Sequence, residues 1–109
     1  MKEHGRIILM RHPQTEYNIE ARLSGRIDVK LSELGIEQAK RAARAIVAWK
    51  PDRIITSPLS RAHAIADVAA KQLSLEAIED DRVIEMDFGS MEGKRVADLP
   101  ALGYPFPWR

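Results

Sequence analysis

Strand-like and helical stretches alternate along this chain, and that alternation constrains its fold more than any other feature. Arg6-Ile7-Ile8-Leu9-Met10 is a short apolar run of the kind that a strand buried on both faces requires, as in a parallel sheet. After a long polar stretch comes a helix. Ser32 is its N-cap, Pro51 closes it, and Ile36, Ala39, Ala43, Ile46 and Val47 recur at helical spacing. Glu37, Lys40, Arg41 and Arg44 fill the opposite face, as on a solvated surface. Asp52-Arg53-Ile54-Ile55-Thr56 reads as a second strand. Ser57-Pro58 then supplies an N-cap and an N1 proline for a second helix reaching about Leu73, with Ala62, Ile65, Ala66, Ala69 and Leu73 as its buried stripe. Leu75-Glu76-Ala77-Ile78 reads as a third strand. Strand, helix, strand, helix, strand in this order predicts an α/β fold with a mainly parallel sheet.

Length and composition narrow the functional classes. With 109 residues there is room for one domain and a modest core. The net charge is +1, and Lys and Arg are scattered rather than run together, so neither nucleic acid nor an anionic membrane is expected as a partner. The chain has no Cys, which excludes disulfides and thiolate catalysis and suits a cytoplasmic protein. No apolar run reaches the length of a signal-peptide core or a membrane span. The tail, Pro100 to Arg109, is rich in Pro and aromatics and has no period of either kind. It reads as a chain cut in mid-domain. Trp49, Phe88, Tyr104 and Trp108 are expected to be packing groups.

Two of the predicted strands run into arginine-bearing polar segments, and in an open α/β sheet ligands sit beyond the carboxyl ends of the strands. The first runs into Arg11-His12. The second runs into Ser57-Pro58-Leu59-Ser60-Arg61, which also opens a helix, so Arg61 lies where free N–H groups and the helix dipole favour an anion. Two guanidiniums and a helix N-terminus around one imidazole suit a phosphate, whose oxygens the planar arginine fork binds in pairs. His12 is then the natural nucleophile, since a neutral imidazole can accept a phosphoryl group. Glu85 is the preferred proton donor to a leaving alcohol, with Asp87 as the fallback. Arg22, Arg26 and Lys30 read as loop surface charges; the alternative is a basic rim that attracts a phosphorylated substrate. Residues 13–31 form a long polar loop with room for one helical turn, and loops of that length in compact domains are usually functional.

The blocks Arg11-His12-x-x-Thr15-Glu16-x-Asn18, Ser24-Gly25-Arg26-x-Asp28 and Leu31-Ser32-x-x-Gly35-x-x-Gln38-Ala39 resemble the phosphoglycerate mutase-like branch of the histidine phosphatase superfamily. Thr56-Ser57-Pro58-Leu59-Ser60-Arg61-Ala62 and Glu85-x-Asp87-Phe88-Gly89-x-x-Glu92-Gly93 add two further blocks in the same order. The resemblance implies a three-layer α/β/α fold of which residues 1–109 are the N-terminal portion, the C-terminal half being absent. It implies phosphoryl transfer or phosphomonoester hydrolysis through phospho-His12, acting on a small phosphorylated substrate without metal or other cofactor. Arg11 and Arg61 resemble the phosphate-binding arginines, Glu85 the proton donor, and Asn18, Ser24 and Gly25 the substrate or phosphate contacts of the loop.

Three departures qualify that expectation. The family's second pocket histidine has no counterpart here. His4 lies roughly 20 Å or more from His12 if the chain between them is extended, and His63 follows Arg61 on the same helix but on another face; both read as plain surface or core groups. Losing such a donor to a transferred phosphoryl group typically lowers the rate by about 10²–10³, so this chain alone is expected to have low or no activity. Pro13 stands where the family usually has Gly, which removes an N–H and excludes positive φ. Ile65 stands near a usual Thr and extends the apolar stripe. A phosphate-binding relative without turnover is the alternative reading, and pairing of exposed sheet edges would allow a homodimer. The compact loop 23–31 leans towards phosphatase over mutase.

Overall fold

A computed structural model of the chain describes residues 5–104. Its elements are α1 (Glu16–Ile19), α2 (Glu33–Trp49), β1 (Ile54–Thr56), α3 (Ser60–Gln72) and β2 (Ala77–Glu79), followed by short 3-10 turns up to Leu102. The α/β architecture is as expected. β1 and β2 pair in parallel with Ile54 opposite Ala77 and Thr56 opposite Glu79, and α3 is the crossover between them. No helix among the described residues is long and apolar enough to cross a membrane.

The local chemistry explains where α2 begins and ends. The Ser32 hydroxyl accepts the Gly35 N–H at 3.0 Å, closing the first turn. At the other end Lys50 adopts the left-handed conformation (φ 51), and Pro51 then prevents continuation. Gly35 has no alternative here, because a Cβ would overlap the Gln14 carbonyl oxygen. That contact presses the start of α2 onto the loop that follows His12.

The core lies between α2, α3 and β1. Ala39 and Ala43 meet Ile65, Ala66, Ala69 and Ala70, with Ile54 closing the cluster. Alanines at the contact let the two helices approach closely. Ile36 is exposed despite falling on the apolar stripe, and Trp49 is also exposed instead of packing. Phe88 and Tyr104 are half-buried, whereas Trp108 and His4 lie outside the described residues. His63 ties α3 to β2: its Nδ1 meets Asp67 at 2.5 Å and its Nε2 meets Glu79 at 2.6 Å.

Both strands are shorter than expected, β1 without Asp52 and Arg53 and β2 without Leu75 and Glu76 but reaching Glu79, and two further differences each have a physical reason. α3 starts at Ser60, with Leu59 as N-cap and no side-chain cap of its own, so Pro58 precedes the helix and is not its first residue. Ser57 instead accepts the Leu59 N–H at 3.2 Å, a turn before the helix. The larger difference is at Arg6–Met10. These residues form no strand, and Ile7 and Leu9 are 87% and 91% exposed. A strand buried on both faces needs a neighbour along each edge and a layer on each side, and the described residues supply neither to this segment.

The contrast between core and segment is measurable. Ala69→Leu should destabilise the chain by about 1–3 kcal/mol through overpacking of the α2–α3 contact. Leu9→Lys should change stability by less than about 0.5 kcal/mol. Urea unfolding of the two variants against the parent checks both; a large cost at Leu9 would show that the segment is packed.

Candidate functional site

The segment ending at His12 and the chain leaving β1 form two sides of one cleft of about 1350 Å³. Arg11, His12, Ser57, Arg61 and Glu85 are among its polar lining, with Arg6, Lys50, Asp52 and Arg53 adding charge, and Ile54, Ile65 and Ala66 belong to its apolar wall. Four of the sequence-predicted residues therefore meet here: Arg11, His12, Arg61 and Glu85. Asn18, Ser24 and Gly25 lie in the adjoining loop and do not line the cleft. His63 lines a separate, smaller hollow with Asp67 and Glu79. Among the described residues, His12 is the one histidine of the large cleft.

The loop after His12 is built so that its imidazole is held. Pro13 is buried, and its carbonyl oxygen lies 2.6 Å from His12 Nδ1. A carbonyl can only accept, so Nδ1 carries the hydrogen and the neutral ring keeps its lone pair on Nε2. Proline serves here because the position supplies a carbonyl; Pro13 is not among the residues with positive φ. Gln14 fixes the next step of the chain. Its N–H donates to Gln38 at 2.9 Å, its carbonyl accepts the Ser32 N–H at 3.0 Å, and its side-chain oxygen accepts the Ser32 hydroxyl at 2.8 Å. Thr15, fully buried, then opens α1 through a reciprocal capping box with Asn18. The Asn18 carboxamide oxygen accepts the Thr15 N–H at 2.8 Å, so its polar group is engaged within the loop.

Arg61 is 2% exposed, and its charge is met by backbone. One terminal nitrogen donates to the Ile27 carbonyl at 2.9 Å and the other to the Gly25 carbonyl at 2.5 Å. Burial draws its pKa below the ordinary arginine value, while the carboxylates of Glu85, Asp28 and Glu92 act in the opposite direction. Gly25 can present that carbonyl because its φ is 51, in the left-handed region.

Asp28 completes the arrangement from the other side. Its carboxylate accepts both the N–H and the hydroxyl of Ser60, at 2.8 and 2.6 Å. Ser60 is the first residue of α3, so Asp28 caps the helix from a remote loop. Sequence reasoning missed this residue because the bond spans 32 positions. Arg26 was missed as well: its Nε donates to the Glu85 carbonyl at 3.1 Å. Arg22 is likewise more than a surface charge, donating to the Gly93 carbonyl at 2.7 Å. Asp87 accepts the Gly89 N–H at 2.9 Å and is absent from the cleft lining, whereas Glu85 is part of it.

Comparison with known proteins gives a consistent result. The profile of the histidine phosphatase superfamily (branch 1) matches residues 7–105. Phosphoserine phosphatase 1 of Hydrogenobacter thermophilus is 38% identical over 94 residues, covering 86% of this chain and 44% of that protein. Glucosyl-3-phosphoglycerate phosphatase of Mycobacterium tuberculosis is 36% identical over 106 residues, covering 95% and 48%. A solved structure of the mycobacterial glucosyl-3-phosphoglycerate phosphatase with VO3 superposes with a TM-score of 0.79 at 35% identity, covering 84% of this chain and 44% of that one. The chain thus spans about half the length of the relatives it matches.

The remote cap has a pH signature. The Asp28 carboxyl titrates below its ordinary value of 3.8, chiefly because the Ser60 hydroxyl donates to it, with the Ser60 N–H and Arg61 adding to the effect against desolvation. A depressed folded-state pKa adds stability above the unfolded value, and that stability is lost as pH falls through the folded value. Asp28→Ala should therefore cost about 0.5–2 kcal/mol at neutral pH, the usual range for a lost cap. Its deficit should shrink below the ordinary carboxyl value. Urea unfolding at pH 7 and pH 3 checks this, and a deficit equal at both values would contradict it.

Proposed function

Because the chain belongs to the histidine phosphatase superfamily (branch 1), we propose that it is the phosphoryl-accepting part of a phosphomonoesterase that works through phospho-His12. The observation that carries this reading is the bond from His12 Nδ1 to the Pro13 carbonyl, which leaves the Nε2 lone pair as the nucleophile in a cleft shared with Arg11, Arg61 and Glu85.

In this reading Nε2 attacks phosphorus in line as the ester P–O bond breaks, and the departing oxygen takes the proton of the Glu85 carboxyl. The phosphorylated ring is cationic, and the Pro13 carbonyl, still accepting from Nδ1, stabilises that charge. Water then attacks phosphorus, the P–N bond breaks, the pair returns to Nε2, and the Glu85 carboxylate takes up the water's proton. Arg11 neutralises the equatorial oxygens. Arg61 acts from beneath, as a fixed positive charge on the wall of the cleft. Asn18, Ser24 and Gly25 are assigned to the loop that shapes the substrate entrance. The substrate class is a small phosphomonoester, and hydrolysis is preferred to mutase chemistry: the phosphatases are 38% and 36% identical, against 32% for a probable phosphoglycerate mutase of Proteus mirabilis, and the loop 23–31 is compact.

Two observations favour a second reading, a phosphate-binding protein with slow or no turnover. Both terminal nitrogens of Arg61 are already bonded to loop carbonyls, and no second histidine lines the cleft among the described residues. The two readings separate on one experiment. With p-nitrophenyl phosphate, the first predicts an acid-labile phosphohistidine that vanishes in His12→Ala, with the rate falling by about 10³-fold or more. Binding of phosphate or vanadate without any phosphohistidine would establish the second.

A further inference from the structure

Glu92 lies outside the chemistry assigned above, yet its carboxylate joins a distant turn to the local segment that follows Glu85. Its Oε2 accepts the Arg26 N–H at 3.1 Å and the Phe88 N–H at 2.8 Å. The first of these bonds spans 66 positions, so it is no ordinary turn contact. Gly25 packs directly against the same carboxylate, and a Cβ there would overlap it. Glu92 is itself held by a short antiparallel ladder. Gly93 donates to the Leu23 carbonyl at 2.7 Å, Leu23 to that of Lys94 at 3.0 Å, and Val96 to that of Ala21 at 2.9 Å.

The geometry runs through a single peptide group. The Gly25 carbonyl accepts from Arg61, and the N–H of the same peptide, that of Arg26, donates to Glu92. The peptide is thus held between a buried guanidinium and a carboxylate, an alignment in which each bond polarises and strengthens the other. From that residue the Arg26 side chain reaches the Glu85 carbonyl, while Phe88, three positions after Glu85, is anchored on Glu92 directly. The segment bearing Glu85 is therefore fastened at both ends, and both fastenings meet at the turn on which Arg61 is held.

We propose that Glu92 is the positioning residue for the proton donor, a clip that registers the Glu85–Phe88 segment against the Gly25–Ile27 turn and so against the phosphate cleft. This rests on the reading of Glu85 as the acid of a phosphohistidine enzyme. It predicts an effect on proton delivery, not on phosphate capture. Proton donation matters when the leaving group is a poor one, such as an alkyl alcohol, and little when it is p-nitrophenol.

The test compares phosphohistidine formation from an alkyl phosphate and from p-nitrophenyl phosphate in the parent, Glu92→Ala, Glu92→Gln and Glu85→Gln. Glu92→Ala should slow the alkyl ester by about 10–100-fold, a large part of what a general acid supplies, and slow the nitrophenyl ester far less. Glu92→Gln should restore most of the loss, because its amide oxygen can accept both N–H groups. If Glu85→Gln shows the leaving-group dependence and Glu92→Ala slows both esters equally, Glu92 is only structural and the proposal fails. If Glu85→Gln itself shows no such dependence, the reading of Glu85 fails and the proposal falls with it. Should the parent form no phosphohistidine from either ester, the functional reading is overturned. Hydrogen exchange then judges the clip alone: Arg26 and Phe88 amides should lose protection in Glu92→Ala and keep it in Glu92→Gln, and amides still protected in Glu92→Ala would refute it.

Discussion

A guanidinium with almost no access to water must find its partners inside the protein, and the surroundings of Arg61 are organised by that requirement. An unpaired buried charge is among the most costly arrangements a fold can contain. Arg61 meets it with two carbonyls from one turn, Gly25 and Ile27. That turn must then hold a shape that aims both carbonyls the same way, which needs the positive φ of Gly25. Asp28 caps α3 only because the turn delivers it there, and Glu92 reaches the Arg26 N–H only because Gly25 has no side chain. The position of the helix, the loop and the acidic segment all follow from satisfying one side chain.

The phosphate chemistry proposed for the cleft depends on that arrangement. Electrostatic catalysis is effective where charges are fixed before the reaction, because nothing has to reorganise as charge develops. Arg61 is fixed by its carbonyls, and His12 is fixed in one tautomer by Pro13. Proline is accommodated at position 13 because the site takes only its carbonyl. Proline also removes a backbone freedom that the site does not use. Arg11, by contrast, is exposed at the cleft.

What the sequence revealed, and what it did not, divides along the range of the interactions. The helices α2 and α3 were legible because their apolar spacing is local, and Ser32 capped α2 as its position suggested. The start of α3 was misread, since Ser57-Pro58 carries a strong local signal while the actual cap, Asp28, is remote. His12, Arg11, Arg61 and Glu85 could be picked out as chemically suited residues in motif blocks, although the strand expected before Arg11 is not formed. Their supports could not: Glu92, Asp28 and Arg26 fall within the motif blocks, but nothing local in the sequence tells which group each one bonds. Ile36 and Trp49 show the converse limit. Helical periodicity identifies an apolar face, but burial depends on whether another element lies against it.

The exposed run from Gly5 to Met10 has a consequence for the life of the chain before and during folding. It emerges ahead of every element that forms the core, and the core cluster of the α2–β1–α3 unit includes none of its residues. Ile7-Ile8-Leu9-Met10 carries no charge and no proline, so it is a ready template for edge-to-edge pairing between molecules. Its flanking residues, Arg6 and Arg11, are the charges that restrain such pairing, acting as gatekeepers. Arg11 thereby has a place in the chain's solubility as well as in its cleft, and neutralising it would raise the concentration dependence of aggregation along with any loss of phosphate affinity.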